Sequence, residues 1–289
     1  EKGCNISEPI PDGITRALKA AKNSDVAVVV AGTDLSIANE AKDRSSLKLP
    51  AVQENLIKAV YKANPNTVLI LINGAPLAIN WAQENLPAII EAWYPGQEGG
   101  TAIANVLFGD YNPGGKLPVT FYQSLEQLPP IDDYDVTKGR TYMYLKAVPL
   151  YPFGHGLSYT TFKYSRLQLS PKSFDIGKSK TLTVSIDIEN IGRYAGDEVV
   201  QLYIKDLQST CLQPIKKLRR FKRIHLNVGE KKTITFKLTK DDFAFWHPTI
   251  HSWVVESGKF KLMLGSSSQD IRLSDIIDVS APPLPYSIR

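Results

Sequence analysis

The spacing of apolar residues changes about halfway along the chain. From residue 13 to residue 108 short unbroken apolar runs alternate with helical stripes. Residues 13–22 read as a helix with Asp12 as its N-cap. Val26 to Ala31 is a continuous apolar run ended by Gly32, as expected of a strand covered on both faces. Val52, Leu56, Val60 and Ala63 recur at helical spacing, and Ile57 and Tyr61 widen the stripe until Pro65-Asn66 breaks it. Thr67 to Ile72 predicts a second buried strand, closed by Asn73-Gly74. Pro76 to Trp81 opens a short helix, and Ala88 to Trp93 forms a third strand. The turn Tyr94-Pro95-Gly96-Gln97-Glu98-Gly99-Gly100 leads into a helix over Thr101 to Phe108. Alternation of strand and helix over residues 1–121 implies βαβ units and a mostly parallel sheet flanked by helices.

Residues 122–160 carry no clear period. They hold Pro129-Pro130, an acidic cluster (Asp132, Asp133, Asp135) and a stretch rich in Pro, Gly and aromatics from Pro149 to Tyr159. Such a long connection reads as a strap ordered against a neighbour. After Thr160 the period becomes two. Leu182, Val184, Ile186 and Ile188 alternate with polar residues, and Val199–Ile204, Thr233–Leu238 and Phe260–Leu264 behave much the same. With turns at Gly192–Gly196 and Val228-Gly229-Glu230, this pattern describes an antiparallel β-sandwich reaching the early 280s. Pro282, Pro283 and Pro285 mark a tail. The expected fold class is therefore α/β plus all-β. The expected division is an α/β domain over 1–138, a linker or strap over 139–160, and a β-sandwich with its tail over 161–289.

Composition narrows the class. Of 289 residues, 43% are hydrophobic and 22% charged, as in a globular chain of one large or two ordinary domains. No apolar run is long enough to span a bilayer. The chain opens at Glu1 with neither an initiator Met nor a signal peptide, so it is expected to be a processed or excised piece. Much of the net charge of +5 comes from Lys216, Lys217, Arg219, Arg220, Lys222 and Arg223. Leu218, Phe221 and Ile224 interrupt that run at spacings suited to a buried face, which favours a solvated strand or loop surface over a nucleic-acid site. Cys4 and Cys211 form neither a disulfide framework nor a zinc pattern. Asn5-Ile6-Ser7 is a glycosylation sequon, a pattern short enough to arise by chance.

Candidate chemistry gathers just beyond the first strand, in Asn39-Glu40-Ala41-Lys42-Asp43-Arg44 followed by Leu47-Lys48-Leu49-Pro50. Ligands bind at the carboxyl ends of strands in open α/β sheets, and Glu40 is the carboxylate placed there. Against a catalytic role stands an ordinary surface glutamate paired with Arg44. Asp43 and Arg44 read equally as an ion pair fixing the loop, which a functional loop also needs. Trp93 and Tyr94 can stack on a sugar, although Trp93 at a strand end reads more readily as core. The four histidines, His155 and His225 among them, lack the spacing of a metal pair. Ser36, Ser45 and Ser46 lack the G-x-S-x-G context of a hydrolase serine. No G-x-G-x-x-G or P-loop pattern follows the first strand, which counts against a nucleotide-dependent enzyme.

Five stretches carry a resemblance: GTDLSIANEAKDRSSLKLP (32–50), AWYPGQEGGTAIANVLFGDYNPGGKLPVTF (92–121), GRTYMY (139–144), PLYPFGHGLSYTTF (149–162) and KKLRRFKRIHLNVGE (216–230). In these the chain resembles the C-terminal half of glycoside hydrolase family 3, the β-xylosidase and β-glucosidase family, in order and over nearly its whole length. The resemblance implies an α/β sandwich domain and a fibronectin type III-like domain. It also implies a separate partner, a (β/α)₈ barrel carrying an aspartate nucleophile, and a β-linked oligosaccharide or glycoside as substrate. It implies no cofactor or metal, no nucleic acid, no membrane, and a secreted or periplasmic location. The family's acid/base is the Glu four positions before the Arg of an E-G-x-D-R-like motif; here that is Glu40, with Ala41 in place of the common Gly. The implied reaction is retaining hydrolysis, and the chain alone is expected to be inactive. The xylosidase version of the motif is the closer likeness. The alternative is a non-catalytic carbohydrate-binding or scaffolding module, for which the β-sandwich and the lack of a nucleophile speak.

Overall fold

A computed structural model describes residues 1–284; Pro285, placed above in the tail, lies outside the described residues. The described chain forms two compact units. The first comprises Glu1–Asp110, Thr120–Ile131 and Ala147–Tyr151, and the second comprises Tyr111–Val119, Asp132–Lys146 and the residues from 152 onward. No single cut in the sequence separates them.

In the first unit the order is α1 (Gly13–Lys22), β1 (Ala27–Gly32), α2 (Ala51–Ala63), β2 (Thr67–Ile72), α3 (Asn80–Asn85), β3 (Ala88–Glu91) and α4 (Gly99–Phe108). The strands pair in the order β1-β2-β3, all parallel, with Val29 opposite Leu69 and Leu69 opposite Ile89. Central β2 buries Leu69, Ile70 and Leu71, while Ile57 and Val60 of α2 join Ala27, Val29, Leu69 and Leu71 in one core.

Several expectations are corrected here. Strand β1 is not covered on both faces: Ala27 and Val29 are buried, but Val28 is 47% and Val30 58% exposed. Successive side chains of a strand point to opposite faces, and the helical core contacts only the Ala27–Val29 face; an unbroken apolar run cannot reveal this. Asp12 stands at the start of α1 with φ 56° and makes no side-chain cap. The turn places its carbonyl, not its carboxylate, against Arg16 N–H at 3.0 Å. The helix expected from Pro76 begins only at Asn80. Residues 76–79 stay extended because Ala78 N–H donates to Leu47 O at 2.7 Å and Leu77 and Ile79 enter the core. The third strand stops at Glu91, two residues early.

One buried side chain fixes where β1 ends. Gln53 of α2 accepts from Gly32 N–H at 2.8 Å, and its amide donates to Gly32 O and Ile6 O, each at 2.8 Å. Gly32 runs so close to β2 that a Cβ would lie 1.8 Å from Ile72 O. Both backbone polar groups of Gly32, together with Ile6 O, are thus satisfied by one amide.

In the second unit two sheets face each other. One has the order β5 (Ser173–Asp175), β13 (Ile271–Ser280), β12 (Gly258–Gly265), β7 (Gly196–Asp206) and β8 (Lys217–Leu226). The other has β4 (Phe162–Ser170), β6 (Leu182–Asn190) and β9 (Lys231–Leu238). A separate hairpin pairs β10 (Phe245–His247) with β11 (Ser252–Val254). The pairs are antiparallel except β5 with β13, which is parallel. Alternate residues Leu182, Val184, Ile186 and Ile188 are fully buried, as period two requires. Parts of the strap are knit into this unit: His155 O accepts from Leu117 N–H at 2.8 Å, and Gly156 O accepts from Lys116 Nζ at 2.7 Å. The basic run forms β8, but Phe221 is exposed rather than on a buried face. Strand β8 is the outer strand, so both its faces are only partly covered. Arg220 and Arg223 spend their charge inside the unit, on Asp242 and Asp197.

Replacing Gln53 with Leu keeps the volume but strands the Gly32 N–H and two carbonyls. Denaturant unfolding is expected to read a loss of about 2 kcal/mol or more.

Candidate active site

The loop that leaves the carboxyl end of β1 is pinned by its own polar side chains. Asp34 accepts from Ser36 N–H at 2.9 Å, Asn39 Nδ2 donates to Leu35 O at 2.8 Å, and Lys42 Nζ donates to Ser36 O at 2.9 Å. Asn39 and Lys42 exchange backbone hydrogen bonds of 3.3 and 3.1 Å, closing a four-residue turn with Glu40 and Ala41 at its corner. Ala41 has φ 60°, the left-handed value that the third position of a type II turn favours for glycine. Glu40 is exposed, and among the described residues it makes neither a hydrogen bond nor an ion pair.

The pair of Asp43 with Arg44 does not form. Asp43 is exposed, while Arg44 is partly buried and donates through Nη2 to Pro76 O at 2.9 Å. Arg44 therefore supports the loop by gripping the backbone beyond β2. Burial pushes its guanidinium pKa down, opposed by the nearby Tyr94 phenol. Nor is Glu40 paired with Arg44.

A second set of groups stands at the ends of β2 and β3. Tyr94 OH donates to Thr33 O at 3.1 Å, tying the turn after β3 to the first residue beyond β1. Its ring lies over Gly74, where a Cβ would come within 2.6 Å of Tyr94 Cε2. Trp93 has φ 53° and packs edge-on against Phe121 at 5.9 Å, with Tyr151 behind Phe121 at 5.8 Å. Trp93 is half-buried and Tyr94 half-exposed, so Trp93 is mainly a packing residue and Tyr94 is the more open ring. Behind them Glu91 accepts from Trp93 N–H at 3.1 Å and from Asn73 Nδ2 at 3.4 Å. Burial raises the Glu91 carboxyl to about 7 against those two hydrogen bonds. Burial and the facing Glu91 push the Tyr151 phenol up to about 12.

A groove of about 1130 Å³ follows the open face of β1, lined by Val26, Val28, Val30, Thr33 and Tyr94 among others. Glu40 and Trp93 do not line it. Among the described residues no group of His, Cys, Asp and Glu is arranged to hold a metal ion, and no helix is long and apolar enough to cross a membrane. Cys4 and Cys211 are both free.

Residues 5–159 match the profile of the glycosyl hydrolase family 3 C-terminal domain, and residues 198–268 match the fibronectin type III-like domain. The chain belongs to glycosyl hydrolase family 3. It is 42% identical over 273 residues to a β-xylosidase of Formosa agariphila, covering 93% of this chain and 37% of that protein. It is 41% identical over 280 residues to thermostable β-glucosidase B of Acetivibrio thermocellus, with the same two coverages. Among solved structures, the β-glucosidase of Kluyveromyces marxianus in complex with glucose superposes with a TM-score of 0.86 at 34% identity, over 95% of this chain and 34% of that one. The chain thus spans about a third of the length of these family 3 relatives, and both of its folds are those expected from the sequence.

The sequence reading missed Glu91 and Asn73. The only signal was polarity out of place: Glu91 interrupts the apolar run Ala88-Ile89-Ile90, and Asn73 follows Thr67–Ile72 directly.

Two outcomes follow for stability. Ala41→Gly is expected to stabilise the chain by about 0.5–1 kcal/mol, because relieved left-handed strain exceeds the added freedom of the unfolded glycine. Glu91 holds its proton to about pH 7 when folded, against an ordinary 4.5. The folded state therefore binds more protons than the unfolded state between those values, and stability falls as pH rises through that window. Unfolding of Glu91→Gln beside wild type should show the variant gaining between pH 4.5 and 7 and the difference levelling off above.

Proposed function

We propose that this chain is the C-terminal portion of a retaining, exo-acting β-glycosidase acting on β-xylosides or β-glucosides, with Glu40 as its general acid/base. The observation that carries the reading is the presentation of Glu40. It is a carboxylate without internal partners, at the corner of a turn pinned on both sides, beyond the carboxyl end of a parallel strand. A surface glutamate needs no such support; a group that must reach a leaving oxygen does. The family likeness of Glu40-Ala41-Lys42-Asp43-Arg44 supports the same assignment.

Retaining hydrolysis needs two carboxyl groups about 5 Å apart, one as nucleophile and one that first protonates the leaving oxygen and then deprotonates water. In such a site the like charge of the nucleophile keeps the acid protonated. Glu40 is one half. The other is an aspartate on a (β/α)₈ barrel, in the same precursor or on a separate chain. Arg44 holds the loop through Pro76, Asp43 is exposed on the same loop, and in this reading Tyr94, with Trp93 beside it, meets the sugar. The secreted or periplasmic location draws support from a relative named periplasmic β-glucosidase in Salmonella typhimurium, 38% identical over 271 residues.

The test is hydrolysis of aryl β-xyloside and aryl β-glucoside by the chain alone and by the chain mixed with a family barrel domain from the same source. The mixture is expected to be active and the chain alone inactive. Glu40→Gln should abolish activity except with the most activated leaving groups. Activity of the chain alone would overturn the shared-site reading. Association without activity would favour a carbohydrate-binding or scaffolding module.

A further inference from the structure

The turn after β3 is built on an unfavourable conformation. Trp93, a bulky residue, sits at φ 53°, where side chains other than glycine are rarely found. A turn of this kind persists only where its surroundings over-determine it. Packing against Phe121 holds the indole, and the Tyr94 hydroxyl on Thr33 O holds the next residue. The backbone of Trp93 itself is anchored by the carboxylate of Glu91 two residues earlier, 3.1 Å from its N–H.

That carboxylate is itself aimed. Asn73, fully buried at the end of β2, donates to Glu91 Oε2 at 3.4 Å and to Ala75 O at 3.0 Å. Glu91 Oε1 is left for Trp93. On the other side stands Tyr151, whose hydroxyl is engaged by Gln83. Among the described residues the groups bearing on Glu91 are thus the Asn73 amide, the Trp93 N–H and the Tyr151 phenol, and none of these is a cation. A buried carboxylate answered only by neutral donors is costly in the folded chain, and a structural ion pair is not its purpose.

We propose that Glu91 is a positioning residue, whose carboxylate, steered by Asn73, locks Trp93 in its left-handed conformation and so sets how Trp93 and Tyr94 are presented at the carboxyl edge of the sheet. The lock depends on protonation. As a carboxylate Glu91 makes a charge-assisted hydrogen bond to the Trp93 N–H, and as a neutral acid it is a weaker acceptor. The turn is therefore held firmly above neutrality and loosened below it. The use of the turn in sugar binding rests on the function proposed above; the lock itself does not.

The experiment reads the lock directly in this chain. The backbone amide of Trp93 is followed by ¹H–¹⁵N NMR from pH 5 to 9 in wild type, Glu91→Gln and Asn73→Ala. In wild type the resonance is expected to titrate with a midpoint near 7. Glu91→Gln keeps a neutral acceptor in place, so the resonance should stay flat over that range. Asn73→Ala removes the steering donor, and the midpoint should move up. A pH-independent Trp93 amide in wild type would overturn the proposal, and so would a titration that survives in Glu91→Gln. Both readouts stand whether or not Glu40 proves catalytic.

Discussion

Everything the first unit presents for chemistry depends on how its parallel strands stop. A strand end inside a protein leaves N–H and C=O groups that must find partners, and here four side chains, Gln53, Asn73, Glu91 and Tyr94, tie them down. The Gln53 amide closes the end of β1 by binding both backbone groups of Gly32 and reaching across to Ile6. Asn73, Glu91 and the Trp93 N–H form a chain across the ends of β2 and β3. The Tyr94 hydroxyl then bridges back to Thr33. Because these ends are fixed, the loop carrying Glu40 and the turn carrying Trp93 leave the sheet from set points. Arg44 adds one more tie by gripping Pro76 O across the same edge.

The cost of this arrangement is visible in the backbone. Ala41 and Trp93 both occupy left-handed conformations, at φ 60° and 53°, in the two segments offered as the functional edge. Each conformation costs energy that surrounding hydrogen bonds must offset. At Ala41 the offset is the pair of backbone bonds between Asn39 and Lys42; at Trp93 it is Glu91. Left-handed residues also occur away from this edge, Asp12 at φ 56° among them, so it is the hydrogen bonding around Ala41 and Trp93, rather than the strain alone, that singles the edge out.

Much of the fold was legible in the sequence because periodicity is local. The apolar stripe of α2 and the alternation of β6 need only near neighbours to be read, and both domains follow from them. What escaped was set by distant partners. Exposure of Val28 and Val30 depends on which face the helices cover. The extended run 76–79 depends on Leu47, whose carbonyl accepts from Ala78 N–H thirty-one residues further along the chain. The expected Asp43–Arg44 pair failed because Pro76 O, remote in sequence, competed for the guanidinium. Glu40 stands out as a candidate through its motif and strand-end position, whereas nothing local marks Glu91, whose raised pKa and hydrogen bonds come from burial beside Asn73 and the turn at Trp93.

The central claim is that Glu40 transfers the proton in a two-carboxylate reaction completed by a barrel. It is tested most directly in the protein carrying both parts, by replacing Glu40 with Gly and supplying azide with an aryl glycoside of good leaving group. If Glu40 is the acid/base, the glycosyl-enzyme still forms, its hydrolysis slows, and azide both restores turnover and yields a glycosyl azide of retained configuration. If azide changes nothing, and activity falls equally for good and poor leaving groups, Glu40 is a structural loop residue and the proton comes from elsewhere.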